Sequence, residues 1–320
     1  MSTGTRLKTL SRFGTECLLI ATLTPYLHDW WWAFELPAHF HPHIAAAAAL
    51  TVLLALALRQ RTVMSLAVAS LLNSGVAMYS VPTRLSAGDS GISVLSQNLS
   101  YGNPSFDEFL NIVVREVPDI VVLLEYTPEW EAAMDRLAGE YISRITAPDS
   151  GAFGIAMFSK LPLESHELLH LGQSKVPAIA ARFESSEFDG TLVAVHLNPP
   201  IGSTWSTDRN LQLSELRDYL LALDHPFVAA GDFNNTPWSP TFRSFVMETD
   251  WHIARPSMLA TWPAMAGRFG IPIDLAVASA EISLGNKGTL DLPGSDHRGI
   301  RIDISNRAGA SGGSAGPGSQ

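Results

Sequence analysis

The sequence has little cysteine and few basic residues. Its single cysteine, Cys17, cannot form an intrachain disulfide. The 21 lysines and arginines are outnumbered by 31 aspartates and glutamates, which gives a net charge of -10. This shortage argues against a protein that binds long nucleic acid mainly through a broad basic surface. A small nucleic-acid site is not excluded, because bound divalent cations offset carboxylates locally.

The composition changes near residue 82. Residues 1–82 are rich in alanine, leucine, valine and tryptophan and carry 5 basic and 3 acidic side chains, whereas residues 83–320 carry 16 and 28. We predict a membrane segment at 1–82, a polar linker at 83–91, a folded catalytic domain at 92–306 and a disordered Gly/Ser-rich tail at 307–320.

Two apolar runs in the first segment have the composition of membrane spans. They cover residues 44–58 and 63–81 and are separated by two arginines. A bilayer core asks for about 20 apolar residues per helix, so the second run fits and the first is short. An earlier stretch at 13–27 is weaker because it contains a glutamate. We therefore predict two or three transmembrane helices, with a buried core hairpin as the alternative.

The basic residues predict the orientation of these spans. Arg59 and Arg61 should lie on the cytoplasmic side, as should the basic residues at 6–12. The chain after Val81 then emerges outside, which predicts a multi-pass cell-membrane protein with an extracytoplasmic catalytic domain. A transporter is not favoured, because the spans are few and lack paired intramembrane charges.

Aromatic and histidine residues lie between the first two apolar stretches. Three tryptophans at 30–32 are typical of an interfacial aromatic belt. His39, His41 and His43 suggest a metal site, but the intervening proline and the nearby membrane boundary favour an interfacial loop.

The region 92–306 alternates short apolar runs with helical patterns. The runs are bounded by Gly, Pro, Asp or Ser, which is typical of buried sandwich strands. They lie at 92–97, 120–124, 154–158, 178–183, 191–195, 227–230, 273–277 and 300–304. Helices are predicted from a capping-box spacing at 105–108 to about 116, and at 129–140, 207–223 and 239–248. This pattern predicts one α/β (α+β) domain.

Polar side chains follow several of the predicted strands. Asn98, Glu125 and His196 each come directly after a strand, and Asp232 follows its strand by one glycine. In a two-sheet core such positions collect at one rim, where loops hold polar groups together. Taken singly, each residue also suits a structural role: a turn, a helix cap, or a core histidine.

Two short motifs carry the most information. Gly-Asp-Phe-Asn occupies residues 231–234 and Ser-Asp-His occupies 295–297, with an isolated Asp274 between them. In this order, and with the strand-end residues upstream, the chain resembles the endonuclease/exonuclease/phosphatase (DNase-like) superfamily over about residues 92–304. Similar bacterial proteins carry several N-terminal transmembrane helices before this domain.

The resemblance implies a four-layer DNase-like fold, a two-sheet β-sandwich flanked by helices. It also implies a divalent-metal-dependent phosphoester hydrolase in which water attacks phosphate in line. Glu125 is then the main metal ligand, Asn98 helps position the metal or a phosphate oxygen, and Asp296 completes the metal shell. Oxygen ligands suit Mg²⁺ or Mn²⁺, and the lack of a Cys/His cluster argues against zinc.

The same resemblance assigns the catalytic residues. Asp232 orients or deprotonates the attacking water, and Asn234 donates a hydrogen bond to the phosphate. His297 pairs with Asp274, which fixes its tautomer and stabilises its protonated form. His196 protonates the leaving oxygen or binds the phosphate. The sequence departs from the commonest pattern where Leu275 replaces a polar or aromatic residue, which alters the pocket wall rather than a catalytic group.

The substrate and partners stay open at this stage. Nucleic acid, a phospholipid headgroup and a small phosphoester all fit the chemistry, because one scaffold serves several phosphate esters. The lipid bilayer is the partner expected for the N-terminal helices, and no protein partner is predicted. The alternatives are a phospholipid or phosphomonoester phosphatase and a non-catalytic membrane-anchored binding module that retains the fold.

Overall fold

The structure, a computed structural model, describes residues 3–84, 91–254 and 259–307. Most of the predicted linker and the predicted disordered tail after residue 307 lie outside these residues. The α-helices are α1 (Thr3–Leu23), α2 (His41–Ala57), α3 (Arg61–Tyr79), α4 (Phe106–Glu116), α5 (Pro128–Met134), α6 (Ser203–Ala222) and α7 (Pro240–Val246). The strands are β1 (Thr83–Arg84), β2 (Ile92–Asn98), β3 (Ile120–Leu124), β4 (Ser143–Ala147), β5 (Ile155–Ser159), β6 (Ser165–Leu171), β7 (Val176–Glu184), β8 (Asp189–His196), β9 (Phe227–Asp232), β10 (His252–Ala254), β11 (Asp274–Ala278), β12 (Ile282–Asp291) and β13 (Arg298–Asn306).

The chain divides into two compact units. The first, here called the N-terminal unit, comprises Met1–Val81, Asn198–Leu213 and Asn234–Met247. The second, here called the sheet unit, comprises Pro82–Leu197, Ser214–Phe233 and Glu248–Gln320. The N-terminal unit therefore includes two segments that the sequence assigned to the catalytic domain.

The N-terminal unit contains α1, α2 and α3 together with the first part of α6 and with α7. The α1 and α3 helices run parallel: Ser11 Oγ donates to Gln60 Oε1 at 3.0 Å near one end, and Asn73 Nδ2 donates to the carbonyl of Thr22 at 2.6 Å near the other. The α2 helix packs against both and runs in the opposite direction to α3, because only residues 58–60 connect the two helices.

Small side chains are buried between these helices, and large apolar side chains face outward. Ala48, Ala67, Ser70 and Ser74 are fully buried. The outer faces expose large apolar residues, among them Leu10, Phe13, Ile20, Leu50, Leu53, Leu56, Leu72 and Val76. A water-soluble bundle shows the reverse distribution, whereas helices packed in a bilayer use small residues at their contacts.

Two helical stretches among the described residues are long and apolar enough to cross a membrane. They are Trp32–Ala57, in which an 18-residue window has a mean hydropathy of 1.7, and Arg61–Tyr79, in which such a window has a mean hydropathy of 1.4. The first includes the 3₁₀ turns that precede α2. By this measure of length and composition α1 does not qualify, in keeping with its weaker apolar pattern.

The segment between α1 and α2 consists largely of 3₁₀ turns. Trp30 and Trp31 are exposed, but His39 and His41 are buried. His39 Nδ1 lies 3.1 Å from Thr236 Oγ1, and His41 Nδ1 lies 3.3 Å from Ser74 Oγ. The predicted interfacial loop is therefore wrong for these two histidines, because distant parts of the sequence supply hydrogen-bond partners that bury them.

The sheet unit contains two mixed β-sheets. One has seven strands in the order β1-β10-β11-β9-β8-β7-β6, and the other has six in the order β12-β13-β2-β3-β5-β4. Alternate residues of each strand face opposite sides of its sheet. Val94 therefore packs into the core that both sheets share, together with Leu192 of the other sheet. Its neighbour Leu95 packs on the outer face with Phe109 of α4 and Trp130 of α5.

The helices differ from the sequence prediction in a cap and in their boundaries, since α6 begins at Ser203 rather than at residue 207. The Ser105 side chain makes no capping hydrogen bond, so the predicted capping box does not form. Asn103 Oδ1 instead accepts a hydrogen bond from the Ser105 backbone at 3.0 Å. The α5 helix begins as predicted, with the Thr127 hydroxyl accepting from the Trp130 backbone, but ends at Met134 and continues as a short 3₁₀ turn.

Candidate functional site

Strand register brings three of the predicted catalytic residues into one row of the seven-stranded sheet. In the parallel pair β8–β9, His196 lies opposite Asp232. In the antiparallel pair β9–β11, Asp274 lies opposite the same Asp232. In the six-stranded sheet, β2 and β3 are also parallel, and Asn98 lies opposite Leu124, the residue before Glu125. Strands that are far apart in the sequence thus place the polar residues at their ends in one region of the sheet unit.

Asp232 lies at the centre of this group. Its side chain is 1% exposed. Asp232 Oδ2 is 3.3 Å from Asn98 Nδ2, 3.6 Å from His196 Nε2 and 3.7 Å from His297 Nε2. One buried carboxylate oxygen therefore lies near an amide donor and two imidazole rings.

His297 forms a pair with Asp274. Its Nδ1 lies 3.0 Å from Asp274 Oδ2, and both side chains are buried. Burial lowers the pKa of His297, but the carboxylates of Asp274 and Asp232 outweigh it and raise this pKa to about 10. The imidazole is therefore protonated at neutral pH, with Nδ1–H donating to Asp274 and Nε2 lying 3.7 Å from Asp232 Oδ2.

His196 has the opposite electrostatic character. Burial, reinforced by the positive charge of His297, lowers the pKa of His196 to about 4. Its ring packs against Phe153 with centroids 5.5 Å apart. The site therefore holds one charged and one neutral imidazole at neutral pH, a separation that points to different roles for the two rings.

A second acidic group surrounds Glu125 and Asp296. Glu125 Oε1 accepts from Asn98 Nδ2 at 3.1 Å, and Glu125 Oε2 accepts from the Tyr101 backbone at 2.9 Å. Asp296 Oδ1 accepts from Ser100 Oγ at 2.5 Å. Since the adjacent residues Ser100 and Tyr101 each bind one of the carboxylates, the two acids share one small region.

The charges of the two acids interact. Burial raises the pKa of the Glu125 carboxyl, and the nearby negative charge of Asp296 adds to this rise. For Asp296, burial also acts to raise the pKa, but the Ser100 hydrogen bond and the His297 charge outweigh it, so the pKa is lowered. Glu125 is thus a carboxylate whose ionised form a bound cation would stabilise.

Asn98 connects the two groups. Its Nδ2 donates both to Glu125 Oε1 and to Asp232 Oδ2, while its Oδ1 accepts from the Ser100 backbone at 3.0 Å. The amide nitrogen faces the carboxylates, and the amide oxygen is bound by backbone. This geometry suits a residue that orients the acids.

Backbone conformation is constrained at the site. Gly231 has a φ of 144°, and a Cβ at this position would lie 2.0 Å from the Val195 carbonyl oxygen. Only glycine therefore fits before Asp232. Glu125 and Asn234 adopt left-handed backbone with φ of 56° and 47°. Such conformations are costly for residues other than glycine and cluster at functional sites.

Two sets of side chains have the chemistry to bind a cation. Asp232, Asp274 and His297 place ligand atoms within 4.8 Å of one another. His297 is a poor ligand there, because its Nδ1 is engaged by Asp274. Glu125 and Asp296 offer carboxylate oxygens with free lone pairs and fit a hard divalent cation better. The donor set thus fits Mg²⁺ or Mn²⁺.

Asn234 is the one predicted site residue that belongs to the N-terminal unit. It follows Asp232 by two residues in the chain, and the unit boundary falls between Phe233 and Asn234. The other seven predicted site residues all belong to the sheet unit.

Sequence reasoning missed several supporting side chains. Ser295 Oγ donates to the Asn98 carbonyl at 2.7 Å and accepts from the His297 backbone at 3.1 Å, which explains the serine of the Ser-Asp-His motif. Trp262 Nε1 donates to Asp296 Oδ2 at 3.0 Å. No local signal marks Trp262, since its loop reaches the site only through tertiary folding.

The profile of the Endonuclease/Exonuclease/phosphatase family matches residues 95–297. D. rerio TDP2 complexed with a single-strand DNA product has a TM-score of 0.59 and 17% identity, with 68% of this chain and 100% of that chain covered. An endonuclease/exonuclease/phosphatase from Beutenbergia cavernae has a TM-score of 0.56 and 19% identity, with coverage of 67% and 71%.

The catalytic domain of human nocturnin with bound sulfate has a TM-score of 0.51 and 19% identity, with coverage of 68% and 95%. At these identities the likeness shows the fold alone, and it confirms the predicted DNase-like arrangement of two mixed sheets flanked by helices. No curated protein sequence matches the chain.

Proposed function

The chain belongs to the endonuclease/exonuclease/phosphatase family, and we propose that it is a membrane-anchored phosphodiesterase or nuclease that depends on a divalent metal. One observation carries this proposal: buried Asp232 lies near both the protonated imidazole of His297 and the neutral imidazole of His196. Asn98 donates hydrogen bonds both to Asp232 and to Glu125. Such a site combines an acceptor for a proton with donors for an anion.

In the proposed reaction Asp232 accepts a proton from the attacking water as the water oxygen bonds to phosphorus. The P–O ester bond breaks on the opposite side, and the ester oxygen leaves with the bonding electron pair and takes a proton from solvent. Asn98 holds Asp232 and Glu125 in place. His297, held protonated by Asp274, donates from Nε2 to a phosphate oxygen and stabilises the charge that builds there. Asn234 is proposed to donate a further hydrogen bond to the phosphate.

His196 is proposed to bind rather than to protonate. A ring with a pKa of about 4 is neutral at the pH of most cells and carries no surplus proton for the leaving oxygen. A neutral imidazole still donates one hydrogen bond, so we assign it to orienting Asp232 or contacting phosphate. Of the two roles that the sequence left open, this favours binding the phosphate over protonating the leaving oxygen.

Glu125 and Asp296 are the residues proposed to hold the metal. When bound, Mg²⁺ or Mn²⁺ would act as a Lewis acid that offsets phosphate charge. The choice is supported by two carboxylates whose charges interact, with the pKa of Glu125 raised.

The metal proposal predicts the behaviour of Glu125→Gln. The variant should need about 10² times more Mg²⁺ for half-maximal activity, because an amide replaces the charged ligand. The measurement uses the full chain in detergent micelles, with bis-(p-nitrophenyl) phosphate as substrate and Mg²⁺ varied after treatment with EDTA.

The matched control for this experiment is Glu140→Gln, which makes the same change at an exposed position of the sheet unit. An unchanged Mg²⁺ requirement in Glu125→Gln would show that Glu125 is not a ligand. Wild-type activity that survives EDTA would refute metal dependence altogether. Absence of any wild-type turnover would favour the alternative of a binding module.

We also propose that α1, α2 and α3 all cross the cell membrane, with the N-terminus inside and the chain after Val81 outside. The outward-facing leucines and buried small residues support insertion. The α1 helix has 21 residues, about 31 Å at 1.5 Å per residue, and runs parallel to α3. That length supports three spans, although α1 is the least apolar.

Reporter fusions test this topology. Alkaline phosphatase, which is active only outside the cytoplasm, should be active when fused after Gln320 and inactive when fused after Gln60. The basic residues that flank α1 and α3 on one side give the physical reason. The reverse pattern of activity would overturn the orientation.

A further inference from the structure

A buried ion pair connects the segment before α2 to a segment that follows a catalytic strand. Arg209, in the first half of α6, is fully buried, and Glu35 is 3% exposed. Arg209 Nη2 donates to Glu35 Oε2 at 2.5 Å. Lysine, arginine and glutamate are almost never fully buried without a partner, so this pair specifies one particular contact.

The same glutamate also binds the second of these segments. Glu35 Oε1 accepts a hydrogen bond from Thr241 Oγ1 of α7 at 2.5 Å. Two further contacts join the neighbouring His39 to the residues before α7: Nδ1 lies 3.1 Å from Thr236 Oγ1, and its carbonyl accepts from Trp238 Nε1 at 3.2 Å. Residues 35–39 are thus bonded to both chain segments that the N-terminal unit shares with the predicted catalytic domain.

These two segments are the direct continuations of the catalytic strands. The first, Asn198–Leu213, begins two residues after His196, and the second, Asn234–Met247, begins two residues after Asp232. The second opens with Asn234, a proposed phosphate donor. Within the first, two hydrogen bonds hold Asn198: its Nδ2 donates to Asp208 Oδ2 at 2.8 Å, and its backbone nitrogen donates to Gln212 Oε1 at 2.9 Å.

We infer that Glu35 is a positioning residue for the proposed phosphoester hydrolysis: through Arg209 and Thr241 it holds both loops that leave the catalytic strands. The N-terminal segment is then part of the catalytic apparatus as well as an anchor. The expected effect on the reaction rate rests on the proposed function, whereas the expectation that Glu35 holds the two loops does not. Buried side chains that lock loops matter for rate, because small displacements of reacting groups are costly.

The test uses the full chain in detergent micelles and the variant Glu35→Gln. Its kcat for bis-(p-nitrophenyl) phosphate should fall by about 10², whereas KM and the Mg²⁺ requirement should change little because Glu125 and Asp296 are untouched. The matched control is Asp29→Asn, an exposed acid of the same connecting segment, which should keep wild-type kinetics.

Hydrogen exchange provides a readout that does not need activity. In Glu35→Gln the backbone amides of 198–213 and 234–247 should exchange faster, while those of β3 in the sheet unit should stay as protected as in the wild type. If the wild type shows no turnover, the proposed function fails, and the exchange result alone then decides whether Glu35 holds these loops.

A milder variant and a double variant sharpen the result. Thr241→Val removes one hydrogen bond to Glu35 without leaving a buried charge unpaired. It should therefore lower kcat and speed exchange in the same direction as Glu35→Gln, but by less. If Glu35→Gln does not fold, Thr241→Val is the variant that tests the inference. Because Glu35 and Arg209 act as one pair, Glu35→Gln with Arg209→Gln should be no worse than Glu35→Gln alone. Unchanged kcat and unchanged exchange in the single variants, or faster exchange throughout the sheet unit, would overturn the inference.

Discussion

Replacing Asp232 by asparagine is expected to lower kcat/KM by about 10³ to 10⁴ while the protein stays folded. The carboxylate is the proposed acceptor of the water proton, and an amide of the same shape cannot take that proton. Asn98 and His297 would still find an oxygen at this position, so the strand register and packing should be retained. Steady-state kinetics at saturating Mg²⁺ measures the loss.

Two comparisons make this result specific. Asp218→Asn makes the same chemical change at an exposed position of α6 and should keep wild-type kinetics. The Asp232→Asn variant should also melt within a few degrees of the wild type, as measured by circular dichroism in detergent. Retention of more than a tenth of the activity would show that Asp232 is not the proton acceptor.

Among the described strands, the sequence predicted eight of the nine inner ones and missed the inner strand β10 and the edges. β2, β3, β5, β7, β8, β9, β11 and β13 were all expected, and each is flanked by other strands. The edge strands β1, β4, β6 and β12 were not expected. β6 is mostly exposed and contains two histidines and a glutamate, so it lacks the apolar run that identifies a strand buried on both faces.

In the candidate site, too, the residues that lack a local sequence pattern were the ones that the prediction missed. Asp232 and His297 were predicted because short motifs surround them, and the structure gives the serine and the glycine of those motifs a structural role. Trp262 could not be found, since its bond to Asp296 depends on the path of a distant loop. The Glu35–Arg209 pair was missed for a similar reason: the sequence suggested a membrane segment there, and nothing local links residue 35 to residue 209.

His297→Gln is the second variant with a large expected effect. It should lower kcat/KM by about 10³, because glutamine supplies no positive charge for the phosphate oxygen and leaves Asp232 beside Asp274 without the cation between them. Asp274→Asn should cost about 10², since the ring remains but loses the carboxylate that keeps its pKa high. His166→Gln, at an exposed position of β6, is the matched control and should behave as wild type.

The double variant His297→Gln with Asp274→Asn separates the roles of the two residues. If Asp274 acts only by holding and charging the ring, its replacement has no further effect once the ring is gone, and the double variant should match His297→Gln alone. If the two losses multiply instead, Asp274 contributes to the reaction independently of His297. The same kinetic assay with all four proteins distinguishes these cases, because the two expectations differ by about 10² in kcat/KM.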